Sequence, residues 1–316
     1  MINKQDNLIH KPVLLNEVLE LLKPSDNGRF IDATVGCGGH STEILKCILP
    51  AGFLWCIDCD SNAISIADKK LTETGKNFCI IKDNFKNLSA IARNYNINNL
   101  NGILFDLGMS SLQLDSDERG FSFRKDCPLD MRFDNDSNVY TAKNLVNNLS
   151  FKELQDIIFK YGEERYASRI ARAIVKECEA KRIETTTELA DIIRRVIPGP
   201  PVVKNDAITR TFQALRIAVN TELDALKTVL PVAVSLLKSG GRLAVISFHS
   251  LEDRIIKFYF KHESKDCICN PEQPVCNCNH QAQLKLLFKK PITPTKQEKT
   301  ENNRARSAKL RVAEKL

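Results

Sequence analysis

Four short apolar runs, at 30–35, 53–57, 78–82 and 102–106, alternate in the first 110 residues with segments of helical spacing at 13–22, 40–49, 61–71 and 85–94. Alternation of this kind predicts a parallel sheet covered by helices on both faces, an α/β architecture. In such sheets ligands lie beyond the carboxyl ends of the strands. Those ends carry Asp32, Asp58, Asp83 and Asp106, one acid for each of four consecutive strands.

The first of these ends says the most. Phe30-Ile31-Asp32-Ala33-Thr34-Val35 breaks into Gly36-Cys37-Gly38-Gly39-His40-Ser41, which reads as a strand, a tight turn and a helix N-terminus. Glycines there let a ligand approach the backbone, and the amides of the helix start can hold a negative group. Asp58 closes Leu54-Trp55-Cys56-Ile57. An acid at the tip of the next strand, about 20 residues on, is placed to take ribose hydroxyls. A glycine turn alone suits any tight loop; with this acid at this distance it predicts a nucleoside-cofactor site. A dinucleotide fingerprint asks for Gly-x-Gly-x-x-Gly, and the three positions here read Gly36, Gly38 and Ser41, so the third glycine is missing. Asp32, four residues before Gly36, sits where an enzyme using S-adenosylmethionine (SAM) keeps an acid near the methionine ammonium.

With 316 residues the chain is long enough for one large domain or two. It is 43% hydrophobic and 27% charged, and it has no apolar run of about 18 residues to span a bilayer. Residues 1–10 are polar and lack the apolar core of a signal peptide. The expected location is therefore the cytoplasm, with no membrane partner, and the chain is expected as a monomer or homodimer. Seven of the eleven cysteines are scattered and read as reduced small hydrophobes. The other four form Cys267-Ile268-Cys269 and Cys276-Asn277-Cys278, with Pro271 and Pro274 expected to compact the loop between them. Structural zinc pairs are typically spaced Cys-x2-4-Cys, and Cys-x-Cys is tighter. The expectation is reduced thiols or an opportunistic disulfide rather than metal, with zinc kept as the lesser reading.

After Asp106 the pattern changes. Residues 112–140 are irregular and mixed in charge, and 151–160, 164–181, 187–196, 205–226 and 230–237 have helical character, with Pro198-Gly199-Pro200-Pro201 as punctuation. Apolar strand character returns at 241–248 and 284–288. The simplest account is a helical domain inserted after the fourth strand, near the cofactor. The expected division is 1–111 and 214–316 for the catalytic domain and 112–213 for the insert. Net charge is +7, and residues 281–316, with ten Lys/Arg and three Glu, carry as much by themselves. Arg304, Arg306, Lys309, Arg311 and Lys315 read as a basic stretch after the last strand, either a solvated tail or an arm contacting RNA phosphates. Arg165, Arg169, Arg172, Lys176 and Arg182 recur at roughly helical spacing, as a solvated face or a track for RNA backbone.

Several long motifs occur in order from residue 10 to the C-terminal segment. They are Asp32-Ala33-Thr34-Val35-Gly36-Cys37-Gly38-Gly39-His40, Asp106-Leu107-Gly108-Met109-Ser110-Ser111-Leu112-Gln113, Arg119-Gly120-Phe121-Ser122-Phe123, Pro128-Leu129-Asp130-Met131-Arg132, Ser247-Phe248-His249-Ser250-Leu251-Glu252-Asp253-Arg254 and Arg306-Ser307-Ala308-Lys309-Leu310-Arg311. On these the chain resembles the ribosomal RNA small-subunit methyltransferase H family. The resemblance implies a class I SAM-dependent methyltransferase fold, Rossmann-like and mostly parallel, with an inserted all-helical domain. It also implies methylation of the exocyclic N4 of a cytidine in the decoding centre (P site) of 16S rRNA, tuning decoding fidelity, with the small ribosomal subunit as partner. For SAM it points to Gly38, Gly39, His40, Asp58, Phe85, Asp106 and Gln113, to which the residue-level reading adds Asp32 and Gly36. Phe85 can lie against the adenine face and Asp83 can accept from the adenine amino group. Gln113 has no signal apart from the resemblance. Thr209–Arg216 matches a family segment too and is expected to return the chain to the catalytic domain.

The cytosine N4 lone pair is delocalised into the ring and attacks poorly, so an acceptor for an N4 hydrogen and close positioning are the needs of the reaction. Amino-methyltransferases of the DNA type use an Asp/Asn/Ser-Pro-Pro-aromatic turn after strand four. This chain has Asp106-Leu107-Gly108-Met109 there, without the prolines. Asp106 or a neighbouring carbonyl is the expected acceptor, and His249 with Asp253 the second catalytic candidate. Phe121, Phe123 and Arg132 could stack on or clamp a flipped cytosine, or the two rings could be core. Arg254, Arg306 and Lys309 complete the RNA candidates. Two other readings remain: a SAM-binding ribosome-assembly protein without methyl transfer, and a nicotinamide-dependent oxidoreductase, which would share the sheet and ribose acid but not the glycine pattern.

Overall fold

The computed structural model describes residues 12–136, 140–270, 273 and 275–316. In chain order the first part runs α1 (Leu15–Leu22), β1 (Arg29–Asp32), α2 (Gly39–Ile48), β2 (Phe53–Asp58), α3 (Ser61–Thr74), β3 (Phe78–Lys82), α4 (Leu88–Asn94) and β4 (Leu100–Asp106). Six helices follow: α5 (Ser111–Asp115), α6 (Ala142–Asn148), α7 (Phe151–Gly162), α8 (Ala167–Ala180), α9 (Thr186–Val196) and α10 (Pro201–Asn220). The chain closes with α11 (Glu222–Leu236), β5 (Leu237–Ser247), α12 (Ser250–Glu263), β6 (Leu284–Leu286), α13 (Lys296–Glu301) and β7 (Lys309–Lys315). No helix among the described residues is long and apolar enough to cross a membrane.

The seven strands form one sheet in the order β3-β2-β1-β4-β5-β7-β6. Neighbours from β3 to β5 are parallel, and β7 is antiparallel to both β5 and β6. That is the Rossmann-like class I methyltransferase sheet. The two-residue period of the strands sorts their side chains onto two faces. Ile31, Trp55, Ile57, Ile103, Phe105, Leu243 and Val245 pack with Leu88 and Ile91 of α4, Val229 and Leu230 of α11 and Ile256 and Phe260 of α12. Phe30, Leu54, Cys56, Leu104, Ala244 and Ile246 pack on the other face with Val18 of α1, Ile44 and Ile48 of α2 and Ala67 and Leu71 of α3. Helices on both faces follow from strands that are apolar on both sides.

By internal packing the chain divides into residues 1–108 with 223–316, and 109–222. The sequence reading placed 109–111 and 214–222 with the sheet. They pack with the helical unit because α10 runs unbroken to Asn220. Its last turns are tied there: Asn220 donates to Met131 O (2.7 Å) and accepts from Phe133 N–H (2.8 Å), and Arg216 grips Glu222 through two bonds of 2.8 and 2.9 Å. Thr209–Arg216 therefore lies inside a helix of the insert rather than returning the chain to the sheet. The helical unit has its own core, with Leu154 and Ile158 of α7, Ile170 and Ile174 of α8, Leu189 and Ile193 of α9, and Ile208, Phe212 and Leu215 of α10. Capping boxes start α6 (Thr141, Asn144), α7 (Ser150, Glu153) and α9 (Thr185, Glu188). Each satisfies amide groups that a helix start leaves unpaired.

The C-terminal segment corrects the sequence reading most sharply. Residues 309–315 were expected after the last strand; they are β7, flanked by β5 and β6 inside the sheet. Leu310 and Ala313 are fully buried. The cationic residues beside Leu310 are engaged on one acid: Lys309 Nζ lies 3.1 Å and Arg311 Nε 2.7 Å from the two oxygens of Asp253 on α12. A strand that alternates charge with Leu and Val can close a sheet when a neighbouring helix supplies the counter-charge.

Candidate active site

The site is built where β1, β2 and β4 end. The ladder continues past the end of β1, with Ala33 N–H donating to Leu104 O and Val35 N–H to Ile57 O. The chain then turns at Gly36 (φ +51°) and Gly38 (φ +79°) into α2. Both values lie in the left-handed region, where a side chain is disfavoured. At Gly38 a Cβ would also stand 3.2 Å from Ala67 Cα, while at Gly36 the nearest heavy atom would be 3.9 Å away. Gly38 makes no side-chain cap, so the amides of the first turn of α2 point outward without an intrahelical partner. This open turn fits the approach of a polar ligand to the backbone.

The four acids divide by role. Asp32 is 1% exposed; its Oδ1 accepts from Thr34 N–H (3.1 Å) and its Oδ2 from Ser41 Oγ (2.6 Å). Burial pushes its carboxyl up, and these bonds oppose the shift. Asp32 thus braces the turn from beneath. Ser41, read from sequence only as a failed third glycine, is the other half of that brace. Asp58 is half-buried at the tip of β2, where Oδ2 accepts from Gly36 N–H (2.8 Å) and Oδ1 from Asp60 N–H (3.0 Å). Burial pushes its carboxyl up to about 6. Asp83 accepts from Asn84 N–H and Asn87 Nδ2, both at 2.7 Å, and so shapes the start of the Phe85–Asn87 turn. Phe85 stands edge-on to Phe105, ring centres 5.6 Å apart.

Asp106 differs from the other three. Its backbone N–H donates to Thr34 Oγ1 (2.6 Å), which locks the end of β4 to the end of β1. Its Oδ1 is buried without a hydrogen-bond partner, an arrangement that costs free energy unless something else satisfies it. Its Oδ2 lies 3.6 Å from His40 Nδ1. His40 Nε2 is 3.0 Å from Val13 O; a carbonyl can only accept, so Nε2 carries the hydrogen and Nδ1 presents its lone pair to Asp106. Burial lowers the His40 pKa to about 4, which keeps the ring neutral. Burial raises the Asp106 pKa well above the usual carboxylate range, and the charges of Asp32 and Glu252 push the same way. Asp106 is thus a carboxyl whose ionised form is disfavoured and whose Oδ2 side faces the lone pair of His40 Nδ1.

The pattern of the MraW methylase family matches residues 7–316. The chain belongs to that family. A relative from Caldicellulosiruptor saccharolyticus named "Ribosomal RNA small subunit methyltransferase H" is 51% identical over 97% of this chain and 99% of its own. One of the same name from Halothermothrix orenii is 49% identical over 98% and 99%. A solved structure called a putative rRNA-methylase, from Clostridium thermocellum, covers 96% of this chain and 95% of its own at 12% identity and a TM-score of 0.44, a likeness too loose to bear on the site.

In this MraW-family chain the end of β5 carries a residue that sequence reasoning missed. His249 caps α12, and its Nδ1 accepts from Glu252 N–H (3.4 Å) while Glu252 Oε2 accepts from Phe248 and His249 N–H. His249 Nε2 is 3.1 Å from Glu252 Oε1 but outside hydrogen-bond geometry. The acid beside His249 is therefore Glu252, and the expected His249–Asp253 pair does not form. Asp253 faces β7, and although burial opposes it, Arg311 and Lys309 hold its carboxyl below its ordinary value. A capping box, with a polar residue followed three later by Glu, was the signal available for Glu252.

The remaining candidates lie on both units. Gly39 opens α2, and a Cβ there would stand 2.5 Å from Pro12 Cγ. Gln113, in the helical unit, forms the capping box of α5 with Ser110 and is 4% exposed. Phe121 is buried and stacks on Phe133 (5.7 Å, 22°), and Phe123 meets Phe212 edge-on (5.6 Å). Both rings serve the core of the helical unit. Arg132 is held two-pronged by Asp130, Nε to Oδ1 at 2.9 Å and Nη2 to Oδ2 at 2.7 Å. Arg254 and Arg306 are exposed on the sheet-bearing unit, whereas Lys309 is the β7 residue already described. At the start of α8, Arg165 and Arg169 lie over the ring of Tyr166, the residue before the helix, at 4.7 and 5.8 Å.

Proposed function

We propose that this protein uses SAM to methylate the exocyclic N4 of a specific cytidine in the decoding centre (P site) of 16S rRNA, acting on the small subunit in the cytoplasm and tuning decoding fidelity. Support for rRNA of the small subunit comes from the names of relatives that match along nearly the whole chain. The observation that carries the N4 step is the Asp106 carboxyl at the end of β4, its side chain 22% exposed beside the turn into α2. When bound, SAM supplies an electrophilic methyl on a sulfonium leaving group. The backbone of Gly36–Gly39 would hold its polar end, Asp58 its ribose hydroxyls and Phe85 its adenine face. His40 fixes the Asp106 carboxyl by presenting a lone pair to the Oδ2 side. The Asp106 carboxyl accepts a hydrogen bond from N4, which orients the amine and localises the lone pair that attacks, and the N4 proton is released to water once the methyl is attached. On the substrate side, the exposed Arg254 and Arg306 would take RNA phosphates.

Incubation with labelled SAM and small subunits lacking the modification, followed by mass spectrometry of the nucleosides, tests the reading. N4-methylcytidine at one decoding-centre position is expected. Intact SAM binding with no transfer to subunits or free rRNA would instead favour an assembly role.

The state of Asp58 adds a pH signature. Its carboxyl is raised to about 6, so the ionised acceptor predominates above that pH and is lost as pH falls. Calorimetric SAM affinity is expected to weaken about tenfold between pH 7 and pH 5. Asp58→Asn should bind weakly and show a flat profile; an unchanged profile would remove Asp58 from the ribose site.

A further inference from the structure

The segment from the end of α12 to β6 is closed at its base, where Gln283 N–H donates to Glu263 O at 2.8 Å. Its four cysteines converge. The sulfurs of Cys267, Cys269, Cys276 and Cys278 all lie within 4.8 Å of one another. Cys269–Cys276 and Cys267–Cys278 are 3.9 Å apart and Cys276–Cys278 is 3.5 Å. Four thiolates about 2.3 Å from a tetrahedral ion stand about 3.8 Å from each other, whereas disulfide sulfurs are about 2.05 Å apart. Two of the three separations run between the Cys-x-Cys arms, so the arms fold against each other. A backbone amide points at the cluster as well: Ile268 N–H donates to Cys278 Sγ at 3.5 Å.

We propose that Cys267, Cys269, Cys276 and Cys278 bind one zinc ion as a closed, structural site of four thiolates. The tight Cys-x-Cys spacing argued against metal only while the arms were considered singly; the ligand set is completed by pairing them. With four sulfurs the coordination sphere is full and offers no open position to water or substrate. Its work is local. Residues 264–282 contain no helix or strand among their described positions, and a loop this long needs ordering from elsewhere. Zinc binding supplies it, because metal affinity is ordering free energy for the segment that makes the site. Pro271 and Pro274, expected to compact this loop, lie outside the described residues.

The test uses the full chain, expressed with zinc and purified without chelator. Elemental analysis is expected to find one zinc per chain, released in full by a thiol-blocking mercurial. Replacement by Co2+ should give sulfur-to-cobalt charge transfer in the near ultraviolet and the intense visible bands of a tetrahedral thiolate site. The double variant Cys276→Ser/Cys278→Ser should lose the zinc, keep SAM binding and the far-ultraviolet dichroism of the parent, and be cleaved within 264–282 at least tenfold faster by protease. Should that variant fail to fold, the parent's mercurial titration and cobalt spectrum carry the test. A reduced parent chain with no stoichiometric metal and no thiolate–cobalt bands would overturn the proposal. So would one equivalent of iron, a disulfide among the four cysteines in the freshly purified protein, or full zinc occupancy in the folded double variant.

Discussion

Asp106→Asn is expected to keep methyl transfer within about tenfold of the parent, while Asp106→Ala loses roughly 10²–10⁴-fold, the range for removing one positioned acid–base or acceptor group. The contrast follows from the protonation pattern around Asp106. Val13 O fixes the hydrogen of His40 on Nε2, so a lone pair faces Asp106 Oδ2 across 3.6 Å. Burial and the charges of Asp32 and Glu252 then favour a neutral carboxyl. An amide keeps an oxygen as acceptor and offers a nitrogen that can donate toward His40 Nδ1. Alanine removes the acceptor and leaves a cavity at the strand end. Were Asp106 to act as an ionised base, the Asn variant would fall as far as the Ala variant. SAM affinity measured alongside separates a third case. If binding falls in both variants while bound SAM still turns over, Asp106 serves the cofactor only.

Much of this arrangement was legible in the sequence. The apolar runs at 30–35, 53–57 and 102–106 are buried on both faces of the sheet, so their hydrophobicity alone marks them as strands. Periodicity placed the acids at the strand ends but could not say which way each carboxylate points. Asp32 and Asp58 look alike in sequence; one is sealed beneath the turn by Ser41, and the other stands at its rim. The continuation of α10 to Asn220 was hidden because what holds it is tertiary, an amide bridging Met131 and Phe133 far away in the chain. The capping box that binds His249 to Glu252 was readable. Asp253 lies one residue beyond the true partner of His249. In β7 the alternation Lys309-Leu310-Arg311-Val312 was a strand signal, masked by a charge count that suggested a tail.

A chain ending at Ala308 therefore should not behave as a catalytic domain lacking an RNA-binding arm. Its sheet-bearing unit should fail to fold, and SAM binding should be lost with it. Removing β7 strips β5 of the antiparallel partner that spans Arg242 to Ser247 and takes from β6 the strand it pairs with among the described residues. Leu310, Val312 and Ala313 leave the core. Leucine truncation alone costs about 2–5 kcal/mol, and each lost ladder bond roughly another 1 kcal/mol. Against a total stability of about 5–15 kcal/mol these losses are decisive. Asp253 would in addition keep its place on α12 with both cationic partners gone. Far-ultraviolet dichroism and SAM calorimetry read the outcome directly. Leu310→Ala, a milder form of the same change, should lower the midpoint of thermal unfolding while the helical unit keeps its own core. Arg306→Glu is the contrasting case: its side chain is exposed, so unfolding should be unchanged while affinity for rRNA falls, more steeply at low salt. If the chain ending at Ala308 folded and bound SAM normally but bound RNA weakly, the segment would be an arm after all, and the place of β7 within the sheet would be refuted.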